Sequence, residues 1–232
     1  MKAFPKAVVI VAGGVGSRMG ASIPKQFLTI KDKPIIAYTI EQFIQFDAQI
    51  EIVVVCHKNY IETLYKISQQ YFLKASITVI EGGNSRFQSC KIGVEAIETE
   101  ENKIVAIHDA VRPNVSQALI KNGFQLAYEK GAAIPAIKLT DTIRVVYEDG
   151  QSDWMDRNQF RKMQTPQCFS LAKLKAAYTI AATQTESNFT DDASVWEANG
   201  QSIYLYEGEE KNIKITSPTD LVLMEFFLTI KD

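Results

Sequence analysis

The hydrophobic positions of the chain fall into short β-branched runs that alternate with stretches of helical period. Ala7-Val8-Val9-Ile10-Val11-Ala12 is continuously apolar and ends in glycines, the pattern of a strand covered on both faces of a parallel sheet. Pro34 suits the first position of a helix, and Ile36, Ile40, Phe43 and Ile44 then recur at helical spacing. Ile50–Cys56 predicts a second buried strand. Ile61, Leu64 and Ile67 predict a helix, Ile77–Ile80 a strand, and Phe87, Cys90, Val94 and Ile97 another helix. Lys103–His108 follows as a strand, and Ser116 opens a helix carrying Ile120, Phe124 and Ala127. Strands alternating with helices predict an α/β fold with a doubly wound, mostly parallel sheet.

The alternation breaks after Ile137. Thr142–Tyr147 leads through Glu148-Asp149-Gly150-Gln151 into a more polar stretch to Arg161, and Asp-Gly between extended runs signals a hairpin. Residues 138–161 therefore predict a protruding β-hairpin arm, which has no helix of its own to cover it and must lean on the sheet or on another subunit. Beyond it, a helix is expected from Ser170 to about Thr183 and a short one over Ala193–Ala198, stopped by Gly200. Strands are expected at Ile203–Tyr206 and Ile213–Thr216, then a last helix with Ser217 as N-cap and Pro218 at its first position. Without repeats or low-complexity tracts, residues 1–232 read as one domain with one arm.

Charge narrows the ligand. With 25 basic and 27 acidic residues the net charge is −2, which provides no general field for a run of phosphodiesters, so nucleic acid is not an expected partner. Phosphate recognition must come from a few placed cations and backbone amides. Cys56, Cys90 and Cys168 form neither a metal-ligand spacing nor a paired framework, as expected of buried thiols in a reducing compartment. The apolar run Ala7–Ala12 is too short for a signal core or a membrane span, so a cytoplasmic protein without a membrane partner is expected.

The loop Gly13-Gly14-Val15-Gly16-Ser17-Arg18-Met19-Gly20 follows the first strand directly, at the strand end where open α/β sheets bind ligands. Its glycines let main-chain amides approach phosphate oxygens. A dinucleotide fingerprint counted from Gly14 needs glycine at Met19 and an acid near Cys56 and His57, and a Walker A loop needs Ser or Thr after its lysine, whereas Gln26 follows Lys25. Both fail. What remains is a glycine loop, Arg18, and Lys25 in Ile23-Pro24-Lys25-Gln26-Phe27: two cations able to clamp a triphosphate.

This opening resembles the sugar-nucleotide pyrophosphorylase and cytidylyltransferase superfamily, with its AGGxGxRM and PKQ segments, and implies a Rossmann-like nucleotidyltransferase fold. Four further segments carry the likeness: Gly82-Gly83-Asn84-Ser85-Arg86-Phe87-Gln88-Ser89, His108-Asp109-Ala110-Val111-Arg112-Pro113, Thr165-Pro166-Gln167, and Asn212-Ile213-Lys214-Ile215-Thr216. Together they resemble the methylerythritol phosphate cytidylyltransferase family, which joins CMP from CTP to a sugar-alcohol phosphate in isoprenoid precursor synthesis. Gly13, Asn84 and Val111 depart mildly from the family pattern, where alanine, aspartate and alanine are common. The resemblance implies that Ala12, Gly13, Gly14, Gly16, Gly83, Asn84, Ser89, Asp109 and Ala110 contact CTP, with Arg86 shaping the base turn or serving as a surface ion-pair residue. It implies that Arg18 and Lys25 stabilise the transition state, and that Arg112, Thr142, Arg157, Thr190 and Lys214 serve the acceptor. It also implies a homodimer whose arm reaches over the neighbour, so that Arg157 and Thr142 act in the partner's site. Ribitol phosphate cytidylyltransferase is the nearest alternative; Asp156-Arg157-Asn158 and Thr190-Asp191-Asp192-Ala193-Ser194 resemble the methylerythritol branch. A catalytically silent nucleotide sensor on the same fold would have no need of Arg18, Lys25, Arg157 and Lys214 together.

A phosphate monoester is largely a dianion at neutral pH, its second pKa being about 6, so attack on the α-phosphorus needs no catalytic histidine. His57 and His108 read as structural. Mg²⁺ is expected to bridge the CTP phosphates, with no protein ligand assigned; Asp109 is equally readable as a carboxylate near that metal and as a loop-orienting acceptor. Asp191 and Asp192 read as the N-cap and first-turn acid of the short helix.

Overall fold

In the computed structural model, which describes residues 4–14, 23–183 and 189–230, the first apolar run forms β1 (Lys6–Ala12). A small turn pairs β2 (Thr29–Ile30) with β3 (Lys33–Pro34) and leads into α1 (Ile35–Phe46), β4 (Glu51–Cys56) and α2 (Ile61–Tyr71). The alternation continues through β5 (Ile77–Glu81), α3 (Arg86–Glu95), β6 (Ile104–Asp109), α4 (Gln117–Lys130) and β7 (Ala132–Lys138). The arm is β8 (Ile143–Val146) and β9 (Ser152–Met155). After it come β10 (Arg161–Met163), β11 (Gln167–Ser170), α5 (Leu171–Ala181), α6 (Asp192–Ala198), β12 (Leu205–Glu207) and α7 (Pro218–Thr229).

The helix ends follow local chemistry. Ser116 accepts from the Leu119 N–H at the start of α4, and Gly131, at φ +93°, ends it. Ser217 and Asp220 form a capping box on α7 with Pro218 in the first turn. Pro34 stands one residue earlier than expected: its ψ of 141° is extended, so it precedes α1.

The main sheet runs β5-β4-β1-β6-β11-β7-β10, with β12 also paired to β7. β1 lies parallel between β4 and β6, Val9 facing Val53 on one side and Ile107 on the other. This central place is why its run is apolar throughout: alternate side chains enter opposite cores. Val8, Ile10 and Ala12 join Ile36, Phe43 and Phe124, while Ala7 and Val9 join Val94, Leu174 and Trp196. Helices therefore cover both faces. Two strands oppose the parallel set, β11 between β6 and β7 and β10 along β7. The arm makes this possible, because a hairpin excursion returns the chain at the same edge it left, whereas a parallel strand needs a crossover.

In the arm, Arg144 faces Trp154 and Val145 faces Asp153, and Gly150 takes φ +82° in the turn. Ile213–Thr216, expected as a strand, is not one. Ile215 is buried against Ile35, Val111 and Met224, and the segment's main chain reaches its neighbour through the Ile215 N–H to the Val111 carbonyl. Its apolar alternation reflects packing between α1 and α7, not sheet pairing. The strand expected at Ile203–Tyr206 is displaced to Leu205–Glu207.

Candidate active site

The C-terminal ends of β1 and β6, the turn before α3 and the segment before α7 enclose a cleft of about 260 Å³. Of the residues expected to hold CTP, Ala12, Gly13, Gly14, Gly83, Asn84, Ser89, Asp109 and Ala110 border it, together with the cations Lys25, Arg86 and Lys214. Arg18 and Gly16 lie outside the described residues.

Each wall has a local cause. A Cβ on Gly83 would come within 2.4 Å of the Gln88 Cβ, so the turn before α3 closes only with glycine there. Its folding is set by Ser85, whose Oγ accepts from the Gln88 N–H, and by Gln88, whose Oε1 accepts from the Asn84 N–H. Neither Gly13 nor Gly14 has a positive φ, and a Cβ on Gly14 would meet nothing within 4 Å among the described residues. Glycine at position 14 thus leaves the main chain open to the cleft. Lys25 reaches across to donate to the Ile215 carbonyl at 2.8 Å, and the buried Gln26 donates to the Ala12 carbonyl at 2.6 Å. Gln26 thereby ties the lysine segment to the end of β1. Its role was not read from the sequence, since a glutamine beside a functional lysine carries no sign of burial.

Asp109 organises the floor. Its Oδ2 accepts from Arg112 Nε at 3.0 Å and lies 3.2 Å from Lys214 Nζ, and its N–H donates to Thr165 Oγ1. Burial would raise this carboxyl, but the charges of Lys214 and Arg112 hold it well below the usual carboxylate range. It is an anion at neutral pH. Behind it, His108 Nδ1 meets Thr165 Oγ1 and Nε2 meets the Arg112 carbonyl; burial pushes its pKa down to about 4. His57 caps a short turn by accepting from the Asn59 N–H. Both histidines are structural.

Arg112, expected to serve the acceptor, lies behind Asp109. Its guanidinium is buried, spends Nε on Asp109 and Nη1 on the Asn212 carbonyl, and does not border the cleft. It supports the floor from beneath Asp109. Thr142 and Arg157 do not join the cleft either: they line a shallow depression on the arm with Trp154 and Asp156, and Arg157 Nη1 donates to the Thr140 carbonyl. Thr190 is exposed, just before Asp191, which caps α6 by accepting from the Ser194 N–H. Asp192 is the first-turn acid of α6, as expected, but it is wholly buried and paired with Arg86 across 106 positions of sequence. Nothing local in the sequence announces that pairing.

A family described as "IspD: 2-C-methyl-D-erythritol 4-phosphate cytidylyltransferase" matches residues 6–230. The 2-C-methyl-D-erythritol 4-phosphate cytidylyltransferase of Bacteroides thetaiotaomicron is 38% identical over 93% of this chain and 96% of its own. That of Azobacteroides pseudotrichonymphae is 42% identical over 95% and 97%. Among solved structures, the Francisella tularensis enzyme of that name superposes with a TM-score of 0.80 at 28% identity, covering 96% of this chain and 99% of that one. The Anaerococcus prevotii 4-diphosphocytidyl-2C-methyl-D-erythritol synthase shares the fold at a TM-score of 0.83 and 24% identity, over 97% and 96%.

Proposed function

The chain belongs to the 2-C-methyl-D-erythritol 4-phosphate cytidylyltransferase family, and on that premise we propose how its residues carry out the transfer of CMP from CTP to 2-C-methyl-D-erythritol 4-phosphate. The observation that carries the reading is the meeting of Lys25, Lys214 and Asp109 with the glycine turn of residues 82–84 in one cleft at the strand ends.

The acceptor phosphate oxygen attacks the α-phosphorus in line; the new P–O bond forms as the bond to the bridging oxygen breaks, and pyrophosphate leaves with its electron pair. Two anions must meet, so neutralising charge and fixing geometry are the main barriers to be lowered. Lys25, with Arg18, balances the charge developing at the α-phosphate. Lys214 holds the acceptor phosphate. Gly83, Asn84 and Ser89 take the base and ribose, and Ala12, Gly13, Gly14, Gly16, Asp109 and Ala110 complete the nucleotide site. The acceptor is already a dianion, so no base is needed, and His108, neutral and buried, takes no part.

Thr142 and Arg157 stand on the arm, away from the cleft of their own chain. In our reading two copies pair through their arms, and Arg157 and Thr142 of each reach the acceptor in the other's cleft, with Thr190 at its rim. The chain forms a single nucleotidyltransferase domain with residues 138–161 as its excursion.

Among the described residues no group of three His, Cys, Asp or Glu could hold a metal, and the carboxylate bordering the cleft, Asp109, already receives two cations on Oδ2. This donor set suits Mg²⁺ carried on the triphosphate oxygens, not an all-protein cage, and the ion supplies neutralising charge there when bound. No described helix is long and apolar enough to cross a membrane. The three cysteines are free and buried, in keeping with a reducing compartment and a cytoplasmic enzyme.

Purified protein given Mg²⁺, CTP and methylerythritol phosphate should release pyrophosphate and form the CDP-alcohol. Turnover with ribitol 5-phosphate and silence with methylerythritol phosphate would refute the assignment.

A further inference from the structure

Asp192 is a fully buried carboxylate in the first turn of α6. Burying such a charge is costly unless it is paired and hydrogen-bonded. Its Oδ2 accepts from Arg86 Nη2 at 2.6 Å and its Oδ1 from the Tyr178 hydroxyl. The Asp192 and Ala193 N–H groups both donate to Gln167 Oε1, whose Nε2 in turn donates to Asp191. The carboxylate is thus held from α3 and α5, and the main chain that carries it from β11. α6 itself does not require it, because Asp191 already supplies the cap.

Arg86, the other half of the pair, is the first residue of α3 and borders the cleft, with 29% of its side chain exposed. It shares a turn with Gly83, Asn84 and Ser89. An ion pair of this kind is a poor means of stabilising a fold, since well-packed apolar residues of similar volume generally do as well or better. It is a good means of holding one guanidinium in one place. We propose that Asp192 is a positioning residue for nucleotide recognition: through its ion pair it fixes Arg86, and with it the turn of residues 83–89, in the conformation that receives the base and ribose. The ordering cost of the turn is then met on folding and not on CTP binding, which is the energetic content of preorganisation. This inference rests on the assignment of the turn to CTP made above.

The test is calorimetric CTP binding in the presence of Mg²⁺, beside pyrophosphate-release kinetics and thermal melting, for wild type, Asp192→Asn, Arg86→Met and the double variant. Asp192→Asn keeps the side-chain volume while removing the charge. Each single variant is expected to weaken CTP binding and raise the CTP KM at least tenfold, with kcat at saturating CTP within threefold and the acceptor KM within twofold of wild type. The double variant should be no weaker than the worse single variant by more than twofold, because Asp192 acts only through Arg86. A purely structural role would lower the melting temperature and leave the CTP constants of the folded protein alone. CTP affinity within twofold of wild type in folded Asp192→Asn, or in Arg86→Met, overturns the inference, and so do losses that multiply in the double variant. Should Asp192→Asn not fold, Arg86→Met at the cleft wall decides alone. If wild type binds CTP but turns over no methylerythritol phosphate, the acceptor assignment fails and the binding constants still judge the role of Asp192.

Discussion

His108 shows how a single buried side chain links the site to stability. Its Nε2 faces the Arg112 carbonyl, which can only accept, so the ring carries its proton there; Nδ1 then accepts from the Thr165 hydroxyl, whose oxygen takes the Asp109 N–H. Protonating the ring would break this relay, and burial accordingly holds the pKa at about 4 against 6.5 for an exposed histidine. The folded-state value is depressed, so between pH 6.5 and 4 the unfolded chain binds a proton that the folded chain refuses. The neutral ring costs nothing above pH 6.5, and stability falls as the pH drops towards 4, by about 2–3 kcal/mol at pH 4.5. Asp109 titrates below this window, because Lys214 and Arg112 more than offset its burial. Urea unfolding at pH 7.5 and 4.5 should show the loss in wild type and a markedly smaller one in His108→Gln; equal losses would place the acid sensitivity elsewhere. The residue's structural character was legible, since no chemistry in the proposed transfer calls for a histidine. The relay was not, because it joins positions 108, 112 and 165.

At the scale of elements, α3 shows why a helix lies where it does. Phe87, Cys90, Val94 and Ile97 mark its apolar face in the sequence, yet Gly93 in its middle looks like a defect, weakening a helix by about 1 kcal/mol against alanine. Its surroundings explain it. A Cβ there would lie 2.4 Å from Val9 Cγ1 and 2.8 Å from Val55 Cγ2, so glycine lets α3 settle directly on β1 and β4. That depth brings the N-terminus of α3, with Ser85, Arg86 and Ser89, up to the end of β1. Gly93→Ala should therefore destabilise the protein by about 1–3 kcal/mol despite the better helix propensity of alanine. The check is the shift of the denaturation midpoint; unchanged or raised stability would contradict this packing.

For the whole molecule, the unusual part is the arm. Val146 and Trp154 are exposed on it at 70% and 63%, the hairpin pairs only within itself among the described strands, and Arg157 is not among the residues lining the cleft with Lys25 and Lys214. If the arm completes a second copy's site, Arg157→Ala and Lys214→Ala are each severely impaired alone. Co-expressed in equal amounts, half the dimers are mixed and each of these has one intact site, so about a quarter of wild-type activity returns. No recovery would mean that every site is built from a single chain.

The sequence by itself determined the alternation of strands and helices, the apolar character of the central strand, the caps of α4 and α7, the arm, and the glycine loop at the end of β1, while the ligand residues of the turn before α3 came from the family resemblance. These are local properties, set by period, by turn chemistry and by the few residue types that can cap a helix or admit a phosphate. Only the tertiary structure decided that β11 runs antiparallel between β6 and β7, that Ile213–Thr216 packs without becoming a strand, that Arg112 lies beneath Asp109, and that Asp192 holds Arg86. The reason is common to all four. A strand's direction, a segment's pairing and the partner of a buried charge depend on which distant parts of the chain are brought together, and composition and spacing within a segment carry no record of that.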